Sequence, residues 1–235
     1  MKKFRGWLWR WIGRSVTIFF ALLVLYQVWL FAHICWWTKF NPSSSAFMET
    51  RLEVMQDKNP DAALQYRWVP YAKISDNLKR ALIAAEDASF VDHEGFDWEG
   101  IQKAYAKNLR KGKIVAGGST ISQQLAKNLF LSTKRTPWRK LEEAAITLML
   151  ETVMDKQRIF EIYLNVIEWG NGVFGAEAAA RHYYQVSAAQ LSAEQAAQLA
   201  AMVPNPRYYD KHREARGMLR KTDIIRARMD DAEIP

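Results

Sequence analysis

Two clusters of polar residues in a largely apolar chain have the composition of a reaction centre. The first, Glu86 to Gly95, holds Glu86, Asp87, Asp92 and Glu94 together with His93. It follows Leu78, Ala81, Leu82 and Ala85, an apolar run at helical spacing, so the acids fall where a helix gives way to a loop. A carboxylate drawn out of water costs free energy unless it is paired. The stretch is therefore either an acidic turn on a solvated helix end or a site with perturbed acids. The second cluster runs from Gly117 to Asn128. Its paired glycines let backbone N–H groups approach a ligand closely, while Ser119, Gln123, Gln124 and Asn128 add hydrogen-bond donors. Lys127 supplies a point charge suited to phosphate. By itself this stretch reads equally as a Gly-Ser turn leading into a polar helix.

A third group lies close behind. Lys134, Arg135, Arg139 and Lys140 precede Glu142 and Glu143 at the mouth of an apolar helix. Such a charge run is usually solvated. Glu143, however, stands directly before Ala144, Ala145 and Ile146, and a buried glutamate needs a cationic partner. Arg139, four residues earlier, shares its helix face.

Other chemistries are poorly served. Gly112 and Gly117 have the spacing of a nucleotide P-loop, but Gly118 stands where its lysine is required. The histidines at 33, 93, 182 and 212 are scattered, and His93-Glu94 lacks the second histidine of a zinc-protease motif. Ser119 has no nucleophile-elbow context. What remains is chemistry by carboxylates and cations: a base that removes a hydroxyl proton, and positive charge that stabilises a departing anion. Glycosyl transfer from a diphosphate requires that set.

The elements that must hold these residues are helical. Ser75 is placed to cap a helix running to Ala85, and the segments 140–154 and 158–167 are apolar nearly all round, the pattern of buried helices. A short Ala-rich helix is expected over 176–184. Ser192 and Gln195 form a capping-box pattern for a helix that Pro204 and Pro206 end. No alternating strand pattern stands out. The soluble part is expected to be a mainly α domain over 51–210, with a linker at 39–50 and a basic, partly helical tail at 211–235.

The charge is unevenly distributed. Of the net +8, six positive charges fall before residue 40, and no acid occurs before Glu49. A body left with +2 argues against a nucleic-acid binder. Residues 15–38 carry no Asp, Glu, Lys or Arg, and 24 residues suffice to span the ~30 Å core of a bilayer. Trp7, Trp9 and Trp11 on one side, with Trp36 and Trp37 on the other, fit interfacial belts, and the basic tail at 1–14 places the N-terminus in the cytoplasm. The run is long for a signal peptide, so an uncleaved anchor is expected. Phe40, Phe47, Trp68 and Tyr71 in the lead-in either pack within the domain or rest on the membrane. The single cysteine, Cys35, excludes an internal disulfide framework.

Together these stretches resemble the peptidoglycan glycosyltransferase family, shared by monofunctional biosynthetic transglycosylases and the N-terminal modules of class A penicillin-binding proteins. Five blocks match in order: Glu86-Asp87 with Phe90, His93 and Gly95; Gly118 to Gln124 with Lys127-Asn128; Arg139-Lys140 with Glu143; Lys156 to Asn165; and Gly172 to Tyr184. No transpeptidase domain follows, which points to the monofunctional form. The resemblance implies a lysozyme-like α-helical domain behind a single transmembrane helix. It further implies polymerisation of lipid II onto a growing glycan strand outside the cytoplasmic membrane, with release of undecaprenyl diphosphate.

Carried over to this sequence, the resemblance makes Glu86 the base toward the acceptor 4-hydroxyl. Glu143 assists at the donor side, and Lys127 and Arg135 hold the diphosphate. Asp87, Phe90, His93, Ser119, Gln123, Gln124, Asn128, Arg139 and Lys140 complete the substrate site. A divalent cation, Mg²⁺ or Mn²⁺, is implied without a derivable ligand set, and no organic cofactor. Membrane lipid and proteins of division or wall synthesis are the implied partners. Two other functions use the same acids: a lysozyme-like hydrolase with Glu86 as acid, and a non-catalytic glycan-binding scaffold.

Overall fold

A computed structural model describes residues 2–113, 117–132 and 136–235. Residues 1–40 and 41–235 form separate units. In the first, α1 (Lys2–Trp37) is one unbroken helix, and its segment Trp9–Trp37, of mean hydropathy 2.1, is long and apolar enough to cross a membrane. One polar side chain within it, His33, is satisfied locally, because its Nδ1 meets the Trp29 carbonyl at 3.0 Å. A single N-terminal helix of this kind is compatible with a membrane anchor.

The second unit is mainly helical. It starts with α2 (Ala46–Gln56), so the last five residues of the expected 39–50 linker are already helical. The correction lies in Ser45, whose hydroxyl accepts the Met48 N–H at 3.2 Å and caps the helix. Next come β1 (Gln65–Tyr66), α3 (Asp76–Glu86) and α4 (Trp98–Lys111). Ser75 caps α3 as expected, and Leu78, Ala81 and Leu82 form its buried stripe. After α5 (Ile121–Phe130) and α6 (Pro137–Val153) the chain reaches the innermost helix, α7 (Lys156–Val166). Its residues Ile159, Phe160, Ile162, Tyr163, Leu164, Asn165 and Val166 are all buried.

Strands do occur. β2 (Glu168–Gly170) and β3 (Val173–Phe174) form a hairpin, and β1 joins β3 in parallel, giving the order β1-β3-β2. Two- and three-residue strands are too short to show alternation. The Asn171-Gly172 turn is nevertheless a hairpin signal that sequence reading passed over. Then come α8 (Ala176–Tyr184), α9 (Ala193–Met202), α10 (Pro206–Lys211) and α11 (Arg216–Arg226). The capping box of Ser192 and Gln195 forms at the start of α9.

Two expectations fail. The helix over 140–154 is not buried all round: α6 leaves Leu141 and Leu148 exposed, Leu141 by 63%. An apolar helix wheel shows that a face can be covered, not that a neighbour covers it. The residues after 210 are no appendage either. Helix α11 packs on α9 and α3, and Tyr71 donates its hydroxyl to the Pro235 carbonyl at 2.7 Å.

The scaffold around the site is a stack in which α5 packs on α6 and α7 while α3 packs on α9. Asn165 ties the lead-in to α7. Its amide accepts from Val69 N at 2.8 Å and donates to Val69 O at 3.0 Å. Two of the four lead-in aromatics pack within the domain. Trp68 lies under the Arg158 guanidinium and Tyr71 under Lys79, both within the domain.

Candidate active site

Glu86 is the last residue of α3, with a side chain 12% exposed. Its Oε2 accepts a hydrogen bond from Gln124 Nε2 at 3.0 Å. Gln124 is oriented in turn by Tyr163, whose hydroxyl donates to Gln124 Oε1 at 3.0 Å. Full burial pushes the Tyr163 phenol well above its ordinary pKa, so it remains a donor and turns the amide N–H₂ toward Glu86. The free oxygen of Glu86, Oε1, faces Lys221 Nζ at 3.7 Å. Burial raises the Glu86 pKa despite the opposing charges of Lys221 and Lys127. A carboxylate with a raised pKa that is still held by donors is suited to accept a proton.

Asp87 braces this arrangement. It is buried, and its Oδ2 accepts the Ile121 backbone N–H at 2.9 Å, one of the donors that the start of α5 leaves free. His93 Nε2 lies 3.0 Å from Asp87 Oδ1. His93 therefore orients Asp87, not Glu86. Phe90 is fully buried against Phe160, with Lys156 over its ring at 4.7 Å. The expectation that Phe90 contacts substrate is corrected, since no surface of it is accessible. The exposed acids Asp92 and Glu94 are solvated.

The Gly-Ser segment opens α5. Thr120 caps that helix and forms a capping box with Gln123, so the Gln123 side chain is committed to the helix start even though it borders the cleft. Asn128 donates to the Gln124 carbonyl at 2.7 Å. Ser119 is exposed and lies between two cavities, lining both. The larger, about 460 Å³, also meets Gln124, Lys127, Arg139, Lys140 and Glu143. The smaller, about 230 Å³, is lined by Glu86, Asp87 and the Gly117-Gly118 backbone.

On the far wall the expected pair of Arg139 and Glu143 forms, with Nη1 to Oε2 at 2.9 Å. Lys140 bonds the other oxygen of Glu143 and lies 3.4 Å from Ser119 Oγ. Glu143, 4% exposed, is thus held between two cations. Lys127 sits in the fields of both Glu143 and Glu86, and burial lowers its pKa. Lys127, Arg139 and Lys140 thus line the larger cavity, while Glu86 lines the smaller one, and Ser119 borders both. Arg135 lies outside the described residues.

Sequence reading missed several contributors. Phe47 lines the cleft beneath Lys127, 5.8 Å from its Nζ. Glu168, paired with Arg51 at 3.1 Å, and Arg207 border its other end. Tyr163 fell within a matched block without being singled out. Lys221 was read only as one lysine in a basic tail, although it falls within the apolar spacing of Met218, Thr222 and Ile225.

Among the described residues no group of three or more His, Cys, Asp or Glu side chains could hold a metal ion. The carboxylates of the site are instead spoken for by lysine, arginine, glutamine, histidine or backbone donors. Among the described residues this set offers no carboxylate cluster for a resident cation.

A family model described as transglycosylase matches residues 53–230. The chain is 72% identical to a biosynthetic peptidoglycan transglycosylase of Methylobacillus flagellatus, over 94% of this chain and 97% of that protein. It is 67% identical to proteins of the same description from Laribacter hongkongensis, over 96% of this chain and 99% of that one, and Chromobacterium violaceum, over 92% and 94%.

Proposed function

The chain belongs to the transglycosylase family, and from that premise we propose that Glu86 is the base with which it polymerises glycan strands. It is a peptidoglycan glycosyltransferase of cell-wall synthesis, and the near full-length match to its relatives is to the monofunctional form. The substrate, lipid II, presents a sugar whose C1 is bonded to a diphosphate. In the reaction proposed here an acceptor 4-hydroxyl attacks that C1. Its proton passes to Glu86, the C1–O bond to the diphosphate breaks, and undecaprenyl diphosphate leaves with the bonding electrons. Lys127, Arg139 and Lys140 face the larger cavity and offset the charge that develops there. Glu143 acts by fixing Arg139 and Lys140 at the wall.

The observation that carries this reading is the placement of Glu86. It borders the smaller cavity, while its hydrogen-bond partner Gln124 borders the cationic cleft. A hydrolase needs no such cationic wall, which favours transfer from a diphosphate. A divalent cation, where one takes part, would come with the incoming diphosphate substrate. Positive charge before residue 15 supports a cytoplasmic N-terminus, with the catalytic unit outside the membrane. The test is polymerisation of lipid II by wild type and Glu86→Gln. Loss of polymer with cooperative unfolding retained is expected. Shortening of finished glycan strands without polymer formation would overturn the reading.

A further inference from the structure

Helix α11 carries a lysine where its own pattern calls for an apolar residue. Its buried stripe is Met218, Thr222 and Ile225, and Lys221 falls within that stripe at helical spacing. The helix is held against α9 and α3, so the lysine is directed at the helix that ends in Glu86. A cation so placed costs free energy unless it is paired. Its partner is Glu86 Oε1 at 3.7 Å, the oxygen that Gln124 leaves free.

The other groups around Glu86 cannot do the same work during turnover. Gln124 and Tyr163 are neutral, Asp87 is an acid already engaged by Ile121 and His93, and Lys127 faces the cavity where the diphosphate would claim it. Lys221 lines neither cavity and is 32% exposed. We propose that Lys221 is a positioning residue: from behind the cleft it anchors one oxygen of Glu86, keeping the carboxylate charged and aimed while Gln124 anchors the other. The inference rests on Glu86 being the base.

The experiment uses the full-length chain with lipid II and records kcat, KM and the pH–rate profile, together with Tm. Lys221→Met, which suits the apolar stripe, should lower kcat on the order of 10-fold, less than the ~10²-fold that a 1 Å misplacement can cost. KM should change little, and the acidic limb should move to higher pH, because removing a neighbouring cation makes a carboxylate harder to ionise. Lys221→Arg should restore the position of the limb. Met218→Ala loosens the same helix without removing charge, so it should lower Tm and leave the limb in place. Profiles are taken per folded molecule, below the Tm of each variant. A wild-type limb and kcat in Lys221→Met, or an equal displacement in Met218→Ala, would overturn the proposal. Full activity in Glu86→Gln would instead remove the reading beneath it.

Discussion

Asp87 and Ile121 are joined across 34 positions by a single hydrogen bond of 2.9 Å, from the backbone N–H that opens α5 to the carboxylate that follows α3. Two helices bearing Glu86 and its amide partner Gln124 are thereby held in register. Asp87→Ala strands a buried donor and should cost about 1–3 kcal/mol. Urea unfolding measures that loss. Asp87→Asn retains an acceptor for Ile121 and should lose less stability than the alanine variant.

Arg139 and Lys140 both bind Glu143, but they should not matter equally to stability. Arg139 is largely buried beside a buried glutamate, whereas Lys140 is 51% exposed. Breaking a buried pair costs about 3–5 kcal/mol, and the remaining lysine keeps Arg139→Met near the lower end. Lys140→Met should cost no more than ~1 kcal/mol because solvent screens an exposed cation. Its effect should appear in catalysis. Comparing urea midpoints with polymerisation rates separates the two.

Burial places the Glu86 pKa above the ordinary carboxylate range, with a defined consequence for pH. A group whose folded pKa is raised contributes stability below its unfolded pKa and loses that contribution as pH rises through the folded value. Wild type should therefore lose stability relative to Glu86→Gln across that window, and the glutamine variant should be the more stable at neutral pH. Activity runs the opposite way. The acidic limb of kcat/KM should lie above the range of an unperturbed glutamate, because the base works only when ionised. Denaturant unfolding and initial rates measured across the same pH series check both.

Gly175 has a φ of +82°, and a Cβ there would lie 2.7 Å from the Asn165 carbonyl oxygen. Neither the backbone conformation nor the contact suits a side chain. Gly175→Ala should destabilise by about 1–3 kcal/mol, since the strain and the clash have no flexible outlet. A lower Tm with unchanged specific activity per folded molecule is the expected pattern.

What could be read from the sequence was local. The Arg139–Glu143 pair, the Ser75 cap and the Ser192–Gln195 box each lie within one helix turn, where spacing determines contact. Glu86 stood out as an acid at the end of an apolar helix. Its partners did not, because Gln124, Tyr163 and Lys221 reach it from three other helices, and no periodicity encodes which helices pack together. Phe90 and Gln123 show the converse. Each sits in a motif with the look of a binding site, yet one fills the core and the other closes a helix start. The hairpin at Asn171-Gly172 was legible and was missed because its strands are so short.

The packing of α3 against α9 and α11 also sets an order of events. A chain that emerges N-terminus first presents Glu86 long before the helices that bury and pair it. Closing so long a loop is entropically expensive, and such distant contacts form late in folding. Until then the carboxylate is an ordinary hydrated acid with no fixed partner. On the proposal that Glu86 is the base, a chain in which α9 and α11 have not yet docked lacks a positioned one.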